Sequence, residues 1–313
     1  MDPAVAEVRK AVREALAEFP SGSLVLVACS GGPDSLALAA ALSVEAPRGG
    51  RRAGAVVVDH GLQADSAGQA AQAAAVCKQL GLNPVEVVAV CVDQDHLGPE
   101  GAARAARYAA LDRAAEQVGA VAIALGHTLD DQAETVLLGL ARGSGARSLA
   151  GMPAKRGLLL RPLLGVRRGM TLAACTALGL QPWQDPHNDD PRFTRSRLRA
   201  DVLPVIEDAL GPGVPEALAR TASMLRADAD ALDEWASTVT DTADIEALKS
   251  LPVAIRTRVI RRAAIAAGAS GGALTAAHIT SIDALLVDWH GQGPVSLPGG
   301  LEASRACDRL TFR

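Results

Sequence analysis

Aromatic side chains are scarce in this chain of 313 residues, which has three Phe, three Trp and one Tyr, 2% of the total. Few rings means few platforms on which unpaired bases stack, and that counts against a general single-strand binder. Lysine is nearly absent: Lys10, Lys78, Lys155 and Lys249 are the only four among 31 basic residues. Arginine's planar fork suits phosphate better than a point charge does, although a compositional bias explains the preference as well. The formal net charge of −4 gives no overall attraction to nucleic acid, so any such contact must come from a local basic cluster. Five cysteines (Cys29, Cys77, Cys91, Cys175 and Cys307) are scattered and never fall in CxxC spacing. They suggest neither a zinc or iron–sulfur site nor a disulfide framework. No stretch approaches an uninterrupted membrane span, and residues 1–14 read as a charged amphipathic helix without the apolar centre of a signal peptide. The expectation is a soluble, cytoplasmic protein with no membrane partner.

Apolar residues make up 49% of the chain, much of it alanine, so the core should be aliphatic and the helices intrinsically favoured. The length suffices for two domains. Short apolar runs at Leu24–Ala28, 55–58, 85–92 and 121–125 alternate with helical patterns that begin near Ser35, Asp65 or Ser66, Glu100 and Leu129. This alternation predicts an α/β fold, a doubly wound parallel sheet, with ligands bound beyond the carboxyl ends of the strands. From 155 to 204 the chain is less regular and rich in arginine. The Gly211-Pro212-Gly213 break reads as a linker to three or four further helical patterns and some short strand-like pieces, which gives domains at 1–211 and 212–313.

Chemistry-bearing residues cluster at the ends of these strands. The first strand runs into Ser30-Gly31-Gly32-Pro33-Asp34-Ser35 and a helix, where glycines and a helix amino terminus let backbone N–H groups approach an anion. The lysine of a Walker A loop is missing, so the loop suits holding a pyrophosphate group rather than transferring a terminal phosphoryl. Asp34 beside phosphates calls for a bridging cation such as Mg²⁺. The second strand ends in Asp59-His60-Gly61. The fourth ends in Gly126-His127-Thr128-Leu129-Asp130-Asp131-Gln132-Ala133-Glu134-Thr135, in which Asp131 and Glu134 share one helix face. Such a pair either complements the helix dipole or holds Mg²⁺ and a cationic amine. Arg104 and Arg107, followed by Tyr108, share a face of the long helix. Arg192, Arg195, Arg197 and Arg199 follow Asp185-Pro186-His187-Asn188-Asp189-Asp190. Arg256, Arg258, Arg261 and Arg262 read as the basic outer face of an amphipathic helix. Trp183, Trp235 and Trp289 read as packing residues.

Ser30 to Ser35 matches the SGGxDS signature of the PP-loop ATP pyrophosphatases, and proline before Asp34 resembles the tRNA(Ile)-lysidine synthetase family. The VDHGL segment at Asp59, GHxxDDQxET at His127, ARxxRY at Arg107 and DPxNxDxxFxRxxIR at Arg195 (with Leu198 in place of isoleucine) resemble that family's segments over essentially the whole chain. The resemblance implies a Rossmann-like PP-loop domain and a smaller, mostly helical, tRNA-contacting domain, without the third domain of longer members. It implies a ligase that adenylates the wobble cytidine of a minor isoleucine tRNA with a CAU anticodon, then joins free lysine to carbon 2, releasing pyrophosphate and AMP. Asp34, Arg107, His127, Asp131, Glu134 and Arg195 become the catalytic candidates; Ser30, Gly31, Gly32, Pro33, Asp34, Ser35, Asp59 and His60 the ATP contacts; and Asp34 with Asp131 the Mg²⁺ ligands. Arg192, Arg197, Arg199, Arg256 and Arg258 become candidates for tRNA phosphates. A tRNA thiolase of the same superfamily, or a nucleotide-binding regulatory module without turnover, stays open, as does oligomeric state, a homodimer included.

Overall fold

The branched, wholly apolar run Leu24–Ala28 (β1) is stable only with both faces covered, and it lies at the centre of a sheet. In the computed structural model, which describes all residues except 60, 62–64, 91–97, 144 and 186–189, and only the backbone of 98–103, β1 pairs in parallel with two neighbours. These are β2 (Arg52–Asp59) and β4 (Ala122–Ala124), with Val27 opposite both Ala55 and Ala124. β3 (Val85–Ala89) adds beyond β2, β6 (Leu159–Leu160) beyond β4, and β5 (Lys155–Arg156) closes the edge antiparallel to β6. The order β3-β2-β1-β4-β6-β5 agrees with the expected doubly wound sheet, except for its antiparallel edge. The β5–β6 hairpin falls in the segment read as irregular, because two-residue strands carry no legible alternation.

Helices α1 (Pro3–Leu16), α2 (Pro33–Arg48), α3 (Ser66–Gln79), α4 (Gly98–Val118), α5 (Leu129–Ala141) and α7 (Arg168–Ala177) surround the sheet; α6 is the single turn Ala146–Leu149. Val25 and Val27 point into one apolar cluster with α1, α2, α3 and α7, while Leu24 and Leu26 point the other way to Leu111, Ala114 and Ala115 of α4. The two-residue period of a strand thus splits a continuous apolar run between two cores. Gly54 in β2 is where that packing leaves no room: a Cβ there would lie 2.7 Å from both Leu26 Cδ2 and the Pro84 carbonyl oxygen. Gly54→Ala should cost about 1–3 kcal/mol through forced overpacking. A denaturant midpoint equal to wild type would contradict this.

Two compact units emerge: residues 1–142 with 151–222, and residues 143–150 with 223–313. The boundary does not fall at the Gly211-Pro212-Gly213 break. That break follows α8 (Thr194–Arg197), a π-helical turn and α9 (Leu203–Leu210), and it starts α10 (Val214–Thr238), within which the units part. Pro and Gly mark a change of chain direction, which need not be where contacts thin out. In the second unit α11 (Ile245–Ser250), α12 (Val253–Ala266) and α13 (Ala276–Val287) pack around Ile245, Ile255, Val259, Ile260 and Leu285. An antiparallel sheet of β7 (Val295–Leu297), β8 (Leu301–Ala306) and β9 (Arg309–Phe312) completes it.

The arginines of α12 are not the outward basic face read from sequence. Arg256 is buried at 9% exposure and bonds Asp283 at 2.6 Å; Arg258 bonds Asp233 at 2.7 Å. Arg261 donates to the carbonyls of Gly271 and Leu274, and Arg262 to those of Ala236 and Val239 near the end of α10. The forked guanidinium groups tie the carboxyl end of α10 and the turn before α13 to α12 through backbone carbonyls, so these side chains hold the unit together. Among the described residues, no helix is long and apolar enough to cross a membrane.

Candidate active site

The turn after β1 is shaped by one hydroxyl. Ser35 Oγ accepts from the Ser30 N–H at 3.2 Å, shares a 3.2 Å bond with the Ser30 hydroxyl, and donates to the Gly32 carbonyl at 2.9 Å. Gly31 sits at φ +83°, which suits glycine, and its carbonyl accepts the Trp183 N–H at 2.9 Å. Helix α2 starts at Pro33, which has no N–H to lose, and no side chain caps it. Its first amides therefore have no intrahelical partner and stand ready for an anion. Gly126 at the end of β4 passes this turn closely; a Cβ there would lie 3.1 Å from the backbone of Asp34 and Ser35. The two strand ends flank the topological switch point of the sheet.

Beside the turn, four carboxylates meet two adjacent arginines. Arg168, at the start of α7, reaches Asp34 at 3.4 Å, Asp131 at 2.6 Å and Glu134 at 3.4 Å, while its backbone N–H donates to Asp130 at 2.7 Å. Arg167 lies 3.3 Å from Asp130. Asp130 thus caps α7, whose own preceding residue supplies no side-chain cap. Asp131 closes a capping box on α5: its Oδ2 accepts from the Thr128 N–H at 2.8 Å and hydroxyl at 3.0 Å. Burial opposes ionisation of Asp131, but Arg168 and the Thr128 bonds outweigh it and hold the carboxyl below the ordinary range. Asp34 goes the other way. Burial raises its pKa, more than the Thr171 hydroxyl and Arg168 lower it, with repulsion from Asp131 adding to the rise. Two carboxylates facing one cation with opposite shifts are the arrangement expected where a proton has to be moved.

His127 stands where Asp131 and three arginines converge. Burial pushes its imidazole down to about 4; Asp131 opposes this, and Arg161, Arg104 and Arg195 add to it. Its Nδ1 is buried without a hydrogen-bond partner among the described residues. An unfolded His takes up its proton near pH 6.5 and the folded one near 4, so stability is lost as pH falls through that window. His127→Gln should flatten that part of the pH–stability curve. Parallel wild-type and variant curves, from denaturant midpoints at successive pH values, would contradict it.

These groups line one cavity of about 440 Å³, with Ser30, Asp34, Asp59, Arg104, Arg107, Tyr108, His127, Asp131, Arg168, Trp183 and Arg199 in its wall. The sequence matches the PP-loop domain model over residues 5–206 and the TilS substrate binding domain model over 244–311. It is 56% identical over 310 residues to a tRNA(Ile)-lysidine synthase of Thermobifida fusca, covering 97% of this chain and 95% of that one. A Salinispora tropica tRNA(Ile)-lysidine synthase is 54% identical over 320 residues, covering 99% and 96%. The chain belongs to the tRNA(Ile)-lysidine synthase family. The solved U34-tRNA thiolase NcsA from Methanococcus maripaludis superposes with a TM-score of 0.59 at 20% identity, over 71% of this chain and 79% of that one, a likeness of fold.

In this family member most of the sequence-derived candidates meet in the cavity: the whole loop except Gly31, with Asp59, Arg107, His127, Asp131 and Arg199. His60 lies outside the described residues. Glu134 does not line the wall. It is fully buried, with its oxygens 2.9 and 3.4 Å from the Arg199 guanidinium and one of them 3.4 Å from Arg168, so it anchors arginines rather than facing a substrate. Arg195 is 3.4 Å from the Thr135 hydroxyl. Arg192 is exposed and paired with Asp190 at 2.6 Å, and Arg197 donates to the carbonyls of Pro191 and Arg192. Reading the sequence missed Arg168, Thr171, Tyr108 and Trp183 as site residues. Thr171 donates to Asp34, and Arg104 donates to the Tyr108 hydroxyl at 3.1 Å. The adjacent arginines before a helical pattern were the one available signal for Arg168. Trp183 is a wall of the cavity, and Trp235 and Trp289 are 50% and 41% exposed, so none of the three is simple core packing.

Proposed function

We propose that this chain is an ATP-dependent ligase that converts the wobble cytidine of a CAU-anticodon isoleucine tRNA to lysidine, using free lysine. One observation carries the reading: the anion-binding turn after β1 and the Asp131 carboxylate on α5 open into the same cavity at adjacent strand ends. A nucleotide held by the first lies beside a group suited to an amine.

In the first step the cytidine O2 attacks the α-phosphorus of ATP, the bond to the β-phosphate oxygen breaks, and pyrophosphate leaves. The loop amides, the Ser30 hydroxyl and Arg199 offset its charge. In the second, the ε-nitrogen of lysine attacks carbon 2, the carbon–oxygen bond breaks, and AMP departs with that oxygen. Asp131, whose ionised form the Thr128 N–H and hydroxyl stabilise, accepts the amine proton. Arg107 forms no ion pair with the described residues and is free to meet the adenylated base or its phosphate. Magnesium suits the turn, because Asp34 stands in the first turn of α2 beside the anion-binding amides and already pairs with one cation, Arg168. One carboxylate completed by phosphate oxygens and water is an ordinary magnesium donor set, and the ion would neutralise charge on the triphosphate. Arg192 and Arg197, exposed beyond the cavity, are the candidates for tRNA phosphates.

The test is mass analysis of nucleosides from isoleucine tRNA incubated with enzyme, ATP and isotopically labelled lysine. The expected product is cytidine plus lysine less water, with AMP and pyrophosphate in equal amounts. Release of ADP and orthophosphate would overturn the reading. Sulfur in place of oxygen would indicate thiolation, and nucleotide binding without tRNA-stimulated pyrophosphate release would indicate a regulatory module.

A further inference from the structure

Among the carboxylates of the cavity wall, the group assigned to an incoming amine is already paired. Arg168 extends Nη2 to Asp131 at 2.6 Å, Nε to Asp34 at 3.4 Å and Nη1 to Glu134 at 3.4 Å, while its backbone is pinned to Asp130 at 2.7 Å. Its side chain is 23% exposed and forms part of the cavity wall, so the guanidinium can turn without the helix moving. The four carboxylates raise its pKa further, against the effect of burial, so the side chain is a permanent cation. An ammonium entering beside Asp131 would meet this guanidinium as a like charge in a partly desolvated site.

A triphosphate changes the balance. The anion-binding turn leads into Asp34, which Arg168 already touches. Phosphate oxygens arriving at that turn compete with Asp131 for the guanidinium, which pairs with phosphate as readily as with carboxylate. We infer that Arg168 is a gating residue: without nucleotide its guanidinium closes the amine subsite at Asp131, and the phosphates of ATP draw it away, so that lysine binds after ATP. This rests on the function proposed above and adds to it an order of substrate binding. Because coupling is reciprocal, lysine must tighten the nucleotide by the same factor.

The experiment is equilibrium dialysis of radiolabelled lysine against the full chain with magnesium, with and without α,β-methylene-ATP, which cannot be split between its α and β phosphates. In wild type the analogue should lower the lysine Kd by about tenfold or more, and saturating lysine should lower the analogue's Kd equally. Arg168→Gln, with the subsite no longer occupied, should bind lysine without nucleotide and lose most of that dependence. Arg168→Lys, whose ammonium spans fewer carboxylates, should fall between. Should the glutamine variant fail to fold, judged by circular dichroism, the lysine variant and the wild-type reciprocity carry the test. Equal lysine affinity with and without the analogue, full nucleotide dependence in either variant, or no lysine binding under any condition would overturn the inference. Lysidine formation by the same wild-type preparation separates the two levels: if it occurs while the coupling is absent, only the gate is wrong; if it is absent, the function itself is.

Discussion

Asp131→Asn should lower single-turnover lysidine formation by about a thousandfold while leaving the affinity for α,β-methylene-ATP within about threefold. The substitution keeps the shape of the side chain and one oxygen to accept from Thr128, whose N–H and hydroxyl it bonds at 2.8 and 3.0 Å. What it removes is the negative charge that faces the cavity and pairs with Arg168 at 2.6 Å. An amide neither accepts the proton of an attacking amine nor attracts an ammonium. The anion-binding turn is built by Ser30, Gly32 and Ser35 and is untouched. The capping box should weaken by about 1 kcal/mol, which a melting curve will register without loss of the fold. Equal loss of nucleotide affinity and product formation would assign Asp131 to the nucleotide instead.

Glu134→Ala should be the most destabilising change in the site, at about 3 kcal/mol. Glu134 is fully buried and its partners Arg168 and Arg199 would be left facing an apolar methyl group. The figure belongs at the low end for a broken buried pair because those arginines keep side-chain exposures of 23% and 34% and recover some hydration. Glu134→Gln keeps the volume and an acceptor and should cost markedly less. Urea midpoints of the three proteins check the order. A glutamine variant as unstable as the alanine one would show that charge, and not satisfaction of the arginines, is what the site requires. Lysidine formation should fall in both, since Arg199 and Arg168 lose the carboxylate that orients them.

Much of the sheet and part of the site were legible because the relevant residues are consecutive. A strand of five apolar residues, a glycine turn and a helix start occupy one stretch, Leu24 through Ser35, and the same holds from Ala122 to Glu134. Local propensity and motif spacing are sufficient there. The α12 arginines misled for the opposite reason. A helical pattern gives the direction of each side chain but not what stands opposite, and here carbonyl groups and Asp283 stand opposite. Glu134 shares a helix face with Asp131 as read, yet one turn of helix is enough to take it from the cavity wall into full burial.

The order of residues along the chain determined the parallel alternation, the turn that presents bare amides to an anion, and the carboxylates at the end of β4. These depend on backbone geometry and on neighbours within a turn or two. Only the tertiary structure decided that α7, more than 130 residues beyond Asp34, places Arg168 and Thr171 against that carboxylate. The same holds for Trp183 beside Gly31. Charge pairing inside a cavity depends on which surfaces the fold brings together, and side chains far apart in the chain leave no periodic trace of meeting.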